Sequence, residues 1–426
     1  MIAYETFRKL GVSFDLITSE EIRAEVLDDY DLLFVPGGWA SDKIAALGDE
    51  GRERIRDYVK AGGSYLGICG GAGLALSHES GLGLAPVSRM PTRSRVPSFS
   101  GSIELEPVEP EHPMWKGFPA GGVFHAWWPG QFSLDEAAEV RVLARYGSPR
   151  PDSFVTDLPV IDEMDWERWE ERYSINLNPE RIVGEPAVIE TSFGSGTVLL
   201  SYLHFETPGD RDGHAVLLNI LEYLSGGDII RPRPEAGDLP VERDGISIDA
   251  ISQSAELDNA EAAYDLAAEN EKDKAAYELA AELLESIESL VTFGKNNFLW
   301  YERNDWILQW RRGVRGVEYS TLHAMFGKLY SCLSRIEPVD RVMVAELRRL
   351  LKITRHFTQD ALKLLTLERN AISRGPLSPL KTGDKQIREL RDELFSSSKR
   401  CGGRYEEVIN LLDGILLRLL RRELRE

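Results

Sequence analysis

Residues 62–73, GGSYLGICGGAG, limit the fold of this chain more than any other stretch. The apolar run Ser64–Ile68 reads as a buried strand that breaks at Cys69 into glycines, the pattern of a strand feeding a tight turn. Upstream, DLLFVPGG (31–38) is a second strand running into glycines, and residues 49–60 between them look helical. Strands that alternate with helices imply parallel βαβ units. Strands apolar on both faces, as here, belong to a sheet covered on both sides. Residues 4–10 are expected to end a helix and SFDLI (13–17) to form a strand.

Further along, 101–150 and 184–206 read as β-rich, with a hairpin turn at Gly194-Ser195-Gly196. Residues 214–225 return to helical spacing. Residues 150–183 hold Trp166, Trp169, three prolines and an acidic run, and look like an inserted flap. The glycine- and proline-rich stretch 226–247 reads as a linker. Beyond about 254 the pattern is helical throughout. Ala276, Ala280, Leu283, Ile287 and Leu290 form one apolar stripe. Met343, Leu347, Leu350, Thr354, Phe357, Ala361 and Leu364 form a second, and Tyr405, Val408, Leu412, Ile415 and Leu419 a third. Pro338, Pro376 and Pro379 mark breaks between helices. The expectation is an α/β domain over 1–228, a linker over 229–252 and an all-α helical bundle over 253–426.

The chemistry centres on Gly67-Ile68-Cys69-Gly70-Gly71. A cysteine between glycines, after a strand and before a probable helix at Ala72–Ser77, has the form of a nucleophile elbow. A helix start favours thiolate, and the Gly70 amide would point at a developing oxyanion. The nucleophile needs a base. His204 ends an apolar strand in SYLHFE, and Glu206, two residues on, is placed to hold its tautomer. Val35-Pro36-Gly37-Gly38 ends the preceding strand, so Gly38 offers a second oxyanion donor. His112 and His78 read as turn and surface residues. The acidic run Asp162, Glu163, Asp165, Glu167, Glu170 and Glu171 reads as a solvated face, and no metal site or cofactor is expected.

Taken together, the FVPGG strand end, the GGSYLGICGG elbow and a late His-x-Glu resemble the class I glutamine amidotransferase-like superfamily. They are most similar to the domain at the amino terminus of biotin–protein ligases, over roughly residues 4–225. The resemblance implies a flavodoxin-like sheet, a Cys69–His204–Glu206 triad and a first strand ahead of residue 4. It places His125 on a pocket-side loop, so that Gly37, Gly71, His125 and Trp127 could line a pocket; an aromatic packing cluster around His125 is at least as strong a reading. Gly73 stands where glutaminases of that superfamily carry Gln, which counts against glutamine as substrate. Gly70 stands where a related protease and deglycase group carries His. No biotin–adenylate loop of the GRGRxG type occurs, so a biotin ligase is excluded.

Charge narrows the partners. The formal net charge is −20; residues 1–250 carry 22 bases and 42 acids, and 251–426 carry 28 of each. So acidic an α/β part steers strongly anionic ligands poorly. The second part cancels only because an acidic 251–290 meets a basic remainder, so these are expected to pack together. Phe298, Trp300, Tyr301, Trp306 and Trp310 interleave with Arg303, Arg311, Arg312 and Arg315, a pattern that can bind single strands. A helix with aromatics in the core and arginines paired to the 251–290 acids is favoured, and nucleic acid is disfavoured. Three widely spaced cysteines suggest no disulfide framework, and no apolar run is long enough to span a bilayer. A cytoplasmic location is therefore expected. The resulting reading is a cysteine amidohydrolase or amidotransferase-like enzyme acting on a small-molecule or peptide amide. Its bundle would serve dimerisation or partner docking; the alternative is a scaffold that keeps the fold without turnover.

Overall fold

The computed structural model describes residues 1–227 and 260–425, except 79, 92, 135–138, 162, 305, 336–338, 376, 379–381 and 397–401; over 260–273 it describes the backbone alone. The expected linker at 229–252, Cys401 and the breaks at Pro338, Pro376 and Pro379 lie outside the described residues.

Helix α1 (Ile2–Leu10) is followed by α2 (Ser19–Arg23), which Thr18 and Glu21 close with a capping box. Between them, residues 13–17 form no strand, contrary to expectation. Their apolar side chains are drawn two ways: Phe14 and Ile17 pack on the sheet core, Phe14 and Leu16 on the helical core. Arg421 donates to the Leu16 carbonyl at 2.7 Å, taking a backbone acceptor that a sheet partner would need.

The βαβ expectation is met by β1 (Leu32–Val35), α3 (Ala40–Ala61, bent at Gly48), β2 (Ser64–Ile68) and α4 (Gly70–Ala75). Then come β3 (Ser88–Arg89), β4 (Phe99–Pro107), β5 (Gly122–Trp127), β6 (Phe132–Ser133), β7 (Arg141–Pro149), β8 (Phe154–Val155), β9 (Leu158–Pro159) and α5 (Trp166–Tyr173). The hairpin β10 (Pro186–Phe193) and β11 (Gly196–Ser201) leads into α6 (Arg211–Ser225). Among the described residues the main sheet runs β1-β2-β11-β10-β7-β4-β8-β9, with β5 also paired to β4. It is a mixed α/β sheet. β1, β2 and β11 are parallel, while the rest of the sheet is antiparallel. β2 lies between two parallel neighbours and is buried at every residue, whereas the edge strand β1 is only half-buried.

The C-terminal region holds α7 (Ala260–Asn296), β12 (Trp300–Asn304), β13 (Ile307–Trp310), α8 (Val317–Leu333), α9 (Arg341–Ile372), α10 (Lys385–Phe395) and α11 (Gly403–Arg425). All three sequence stripes are buried. As expected from charge, α7 packs on α8 and α9, with Glu282 paired to Arg355. The all-α expectation fails at 300–310, which is an antiparallel hairpin. Its turn is set by Asn304, whose Oδ1 accepts from the N–H groups of Trp306 and Ile307. The hairpin reaches over the α/β sheet. Trp306 meets Trp127 edge-on at 5.1 Å, and Trp310 stacks on Trp128 at 4.9 Å. Among the described residues these arginines find other partners than the 251–290 acids. Arg303 donates to the carbonyls of Ser100 and Asp152, Arg312 to that of Tyr173, and Arg315 pairs with Glu318. Helix α1 is the other join: Tyr4 sits in the helical core and Phe7 in the sheet core.

Candidate active site

Three parallel strands end at one edge of the sheet, and their register decides what meets there. Val35 of β1 pairs with Gly67 of β2, and Ile68 of β2 with Ser201 of β11. The next residues are therefore the PGG turn, Cys69 and the segment to Glu206, the position where open α/β sheets carry ligands. Cys69 itself is tied in by its N–H, which donates to the Ser201 carbonyl at 2.7 Å.

The elbow is built by close backbone contact. A Cβ on Gly70 would lie 1.8 Å from the Gly38 oxygen, one on Gly71 2.0 Å from the Val35 oxygen, and one on Gly67 2.7 Å from the Gly71 backbone. Only glycine permits these approaches. Gly71 therefore packs against β1. The helix starts at Gly70 and not at Ala72, so Cys69 is its N-cap, with φ of 50° and ψ of −102°. A non-glycine residue held there is strained, as nucleophile elbows are. The Gly70 N–H belongs to the first turn, which a helix leaves without an internal acceptor.

His204 closes the site from the segment beyond β11, which ends at Ser201, three residues short of the expected strand end. Its Nδ1 lies 2.8 Å from Glu206 Oε1, so the carboxylate fixes the tautomer. A Cβ on Gly37 would touch His204 Cε1 at 2.8 Å and Cys69 Cβ at 3.6 Å, which puts turn, imidazole and thiol in one cluster. His204 Nε2 is buried with no bond-length partner among the described residues. Burial works to lower the His204 pKa; the Glu206 carboxylate and the nearby Cys69 sulfur overcome it and lift the pKa to about 10. The Cys69 Sγ lies 3.9 Å from the carbonyl of Trp127, which accepts from it.

The supports of this cluster come from several elements. Thr207 Oγ1 donates to the His204 carbonyl at 2.7 Å and receives the Trp127 indole N–H at 3.0 Å. Thr6 of α1 donates to the Glu206 carbonyl at 2.8 Å. His125, expected at the pocket, has its Nδ1 2.9 Å from Asp210 and its ring stacked on Trp127. It belongs to the wall behind Trp127. His112 is not a surface residue: it is buried against Glu190. In the flap, Asp165 caps α5 and Glu170 accepts from the N–H groups of Leu177 and Asn178, so parts of the acidic run are structural. Among the described residues no group of three or more His, Cys, Asp or Glu could hold a metal ion.

Two contributors escaped the sequence reading. Lys43 of α3 donates to the Gly37 carbonyl at 2.8 Å; burial lowers its pKa, and the Cys69 sulfur is foremost among the groups opposing that. Its signal was position alone, a lysine in the first helical turn after PGG. Tyr202 packs over Gly130 and Phe132, and its buried hydroxyl has no partner among the described residues.

Comparison with known proteins agrees with the motif resemblance. Residues 13–79 match the family described as biotin-protein ligase, N terminal. The match spans β1, the PGG turn and the Cys69 elbow, and stops well before His204. No curated protein matches the chain. Among solved structures, the chain is similar to a GMP synthase-type protein of Thermoplasma acidophilum (14% identity, 53% of this chain and 87% of that one, TM-score 0.33). It is similar to a ThuA-like protein of Bacteroides uniformis (16% identity, 52% and 82%, TM-score 0.34). It also matches a β-galactosidase of Bacillus circulans (14% identity, TM-score 0.35), covering 55% of this chain and only 28% of that enzyme's length. No helix among the described residues is long and apolar enough to cross a membrane.

Proposed function

We propose that this protein is a cysteine-dependent amidohydrolase or amidotransferase-like enzyme with a Cys69–His204–Glu206 triad on a class I glutamine amidotransferase-like fold. One observation supports it above the others. A strained Cys69 at a helix start faces a buried imidazole whose Nδ1 is held by a carboxylate and whose Nε2 is left for a reacting group. In this reading Cys69 reacts as the thiolate, its proton already held on His204 Nε2, and Sγ bonds to the amide carbonyl carbon. The carbonyl π pair moves to oxygen, where the Gly38 and Gly70 N–H groups stabilise it. The intermediate collapses and the C–N bond breaks, the leaving amine taking the proton from His204. Water, with its proton drawn to His204, then cleaves the thioester and restores the thiol.

Residues 1–228 are read as the catalytic unit and 253–426 as the second, joined by 229–252. The second unit is assigned to docking a partner or a second copy. A p-nitrophenyl ester tests the catalytic claim without knowledge of the substrate. Wild type should release a burst of p-nitrophenolate equal to the enzyme present, with an acyl group on Cys69 by mass spectrometry. Cys69→Ala should show none. Equal release from both proteins would sink the enzyme and favour the scaffold reading.

A further inference from the structure

A cavity of about 320 Å³ opens between the start of α3 (Ala40, Ser41, Ile44), Gly73 of α4 and the residues just beyond it (Leu76, His78), with Arg89 also on its wall. Gly73 is one helical turn from Cys69, its N–H donating to the Cys69 carbonyl at 2.9 Å. A Cβ there would meet only Ala40, at 3.6 Å, so no packing demand keeps this position empty. The missing side chain leaves room in the cavity next to the nucleophile.

The charge around this room opposes that of the whole chain. Arg89 is exposed on β3, and among the described residues no carboxylate pairs with it. β3 pairs with β6 by setting Arg89 opposite Phe132, and Phe132 packs on Tyr202 at 4.3 Å. Burial pushes the Tyr202 hydroxyl pKa up, and the positive charges of Arg89 and Arg95 oppose that shift. Lys43 of α3, between the lining residues Ser41 and Ile44 in sequence, donates to the Gly37 carbonyl. Glu206, the carboxylate of the triad, is turned to His204.

We propose that this cavity seats a carboxylate of the amide substrate, with Arg89 as its counter-ion, so that the site selects acidic acyl groups. This rests on the catalytic reading of Cys69. The net charge of −20 lowers the encounter rate for such a ligand without removing the local pairing, since an exposed charge is screened beyond about 10 Å at ordinary ionic strength.

The experiment uses the full chain, with glutarate and its neutral isostere glutaramide as probes. Glutarate should slow iodoacetamide labelling of Cys69 and raise the melting temperature, and glutaramide should do neither. Arg89→Gln should weaken glutarate protection roughly ten-fold, the size of one lost charge-assisted hydrogen bond, and Arg89→Lys should restore part of it. The ratio of iodoacetate to iodoacetamide labelling should fall in the glutamine variant by about the same factor. If Arg89→Gln does not fold, added salt on wild type serves instead, weakening protection by glutarate. Equal protection by both probes, or a ratio unmoved by Arg89→Gln or by salt, overturns the proposal. Glutarate binding without an ester burst would instead remove the catalytic reading and leave the carboxylate site standing.

Discussion

Two buried histidines each lie beside a glutamate, and they spend their nitrogens differently. His112 caps the short turn at Pro113–Trp115: its Nδ1 accepts the Met114 N–H at 3.2 Å, and its Nε2 donates to Glu190 at 3.2 Å. Glu190 is also held by Arg141, so although burial works to raise its pKa, these partners keep it low. Both nitrogens of His112 are spent on structure. His204 uses only one. Its Nδ1 takes Glu206, and its Nε2, near the Cys69 sulfur, has no hydrogen-bond partner among the described residues. An imidazole beside a carboxylate is thus no sign of chemistry by itself; the unspent nitrogen is.

The sharpest way to break this contrast is to exchange the roles by mutation. His204→Asn should reduce the ester burst rate by roughly two to four orders of magnitude, the range for a removed general base. His112→Ala should leave the burst rate intact. It strips Glu190 and Met114 of their partner and leaves a cavity beneath Tyr223, costing about 2–4 kcal/mol in urea unfolding. Cys69 labelling by iodoacetamide should be unchanged. A His112 variant that lost burst kinetics at full stability would undo the comparison.

Glu206→Gln sharpens it through pH. The folded pKa of His204, about 10, lies above the ordinary 6.5, so its charge contributes stability fully below pH 6.5. That contribution is lost as pH rises through 10. With Gln at 206, burial is left opposed by the sulfur alone and the pKa drops. Urea midpoints should therefore decline less between pH 6.5 and 10 in the variant than in wild type. Parallel declines would show that Glu206 does not charge the imidazole.

A smaller effect is expected at the hairpin. Trp306→Ala removes the edge-on contact to Trp127, whose carbonyl faces the thiol. About 1 kcal/mol of stability should go, with a modest change in labelling rate. No change in either would separate the helical region from the site.

The same contrast explains what was legible in the sequence. The elbow, the PGG turn and the strand before His204 could be read because local spacing defines them: glycines where backbones touch, apolar runs where strands are buried. Gly70 and Gly71 announce their contacts in their identity. The hairpin could not be read so easily. Trp300–Trp310 has no glycine or proline turn, and its aromatics satisfy helical and strand packing equally; Asn304-Asp305 was the one turn signal. Residues 13–17 have a strand's composition but lie between two cores, which no local pattern encodes. The unspent nitrogen of His204 and the cation Lys43 beside Cys69 are likewise long-range facts.

Gly73 gives the smallest expected effect and the finest discrimination. It follows Gly67 of β2 and Gly70 and Gly71 of the turn, and by glycine spacing alone the four look alike. Structure separates them: Gly67, Gly70 and Gly71 would drive a Cβ into backbone at 2.7 Å or less, whereas at Gly73 the nearest atom is Ala40 Cβ at 3.6 Å. Gly73→Ala should therefore be tolerated. Alanine inside a helix is favoured over glycine by up to about 1 kcal/mol, so the melting temperature should hold or rise slightly, while Gly71→Ala should unfold the elbow. Burst kinetics in Gly73→Ala should persist, since the triad atoms do not touch the new methyl. A Gly73→Ala protein as damaged as Gly71→Ala would mean that this glycine serves the elbow's backbone, and that the room beside Cys69 is a by-product of packing.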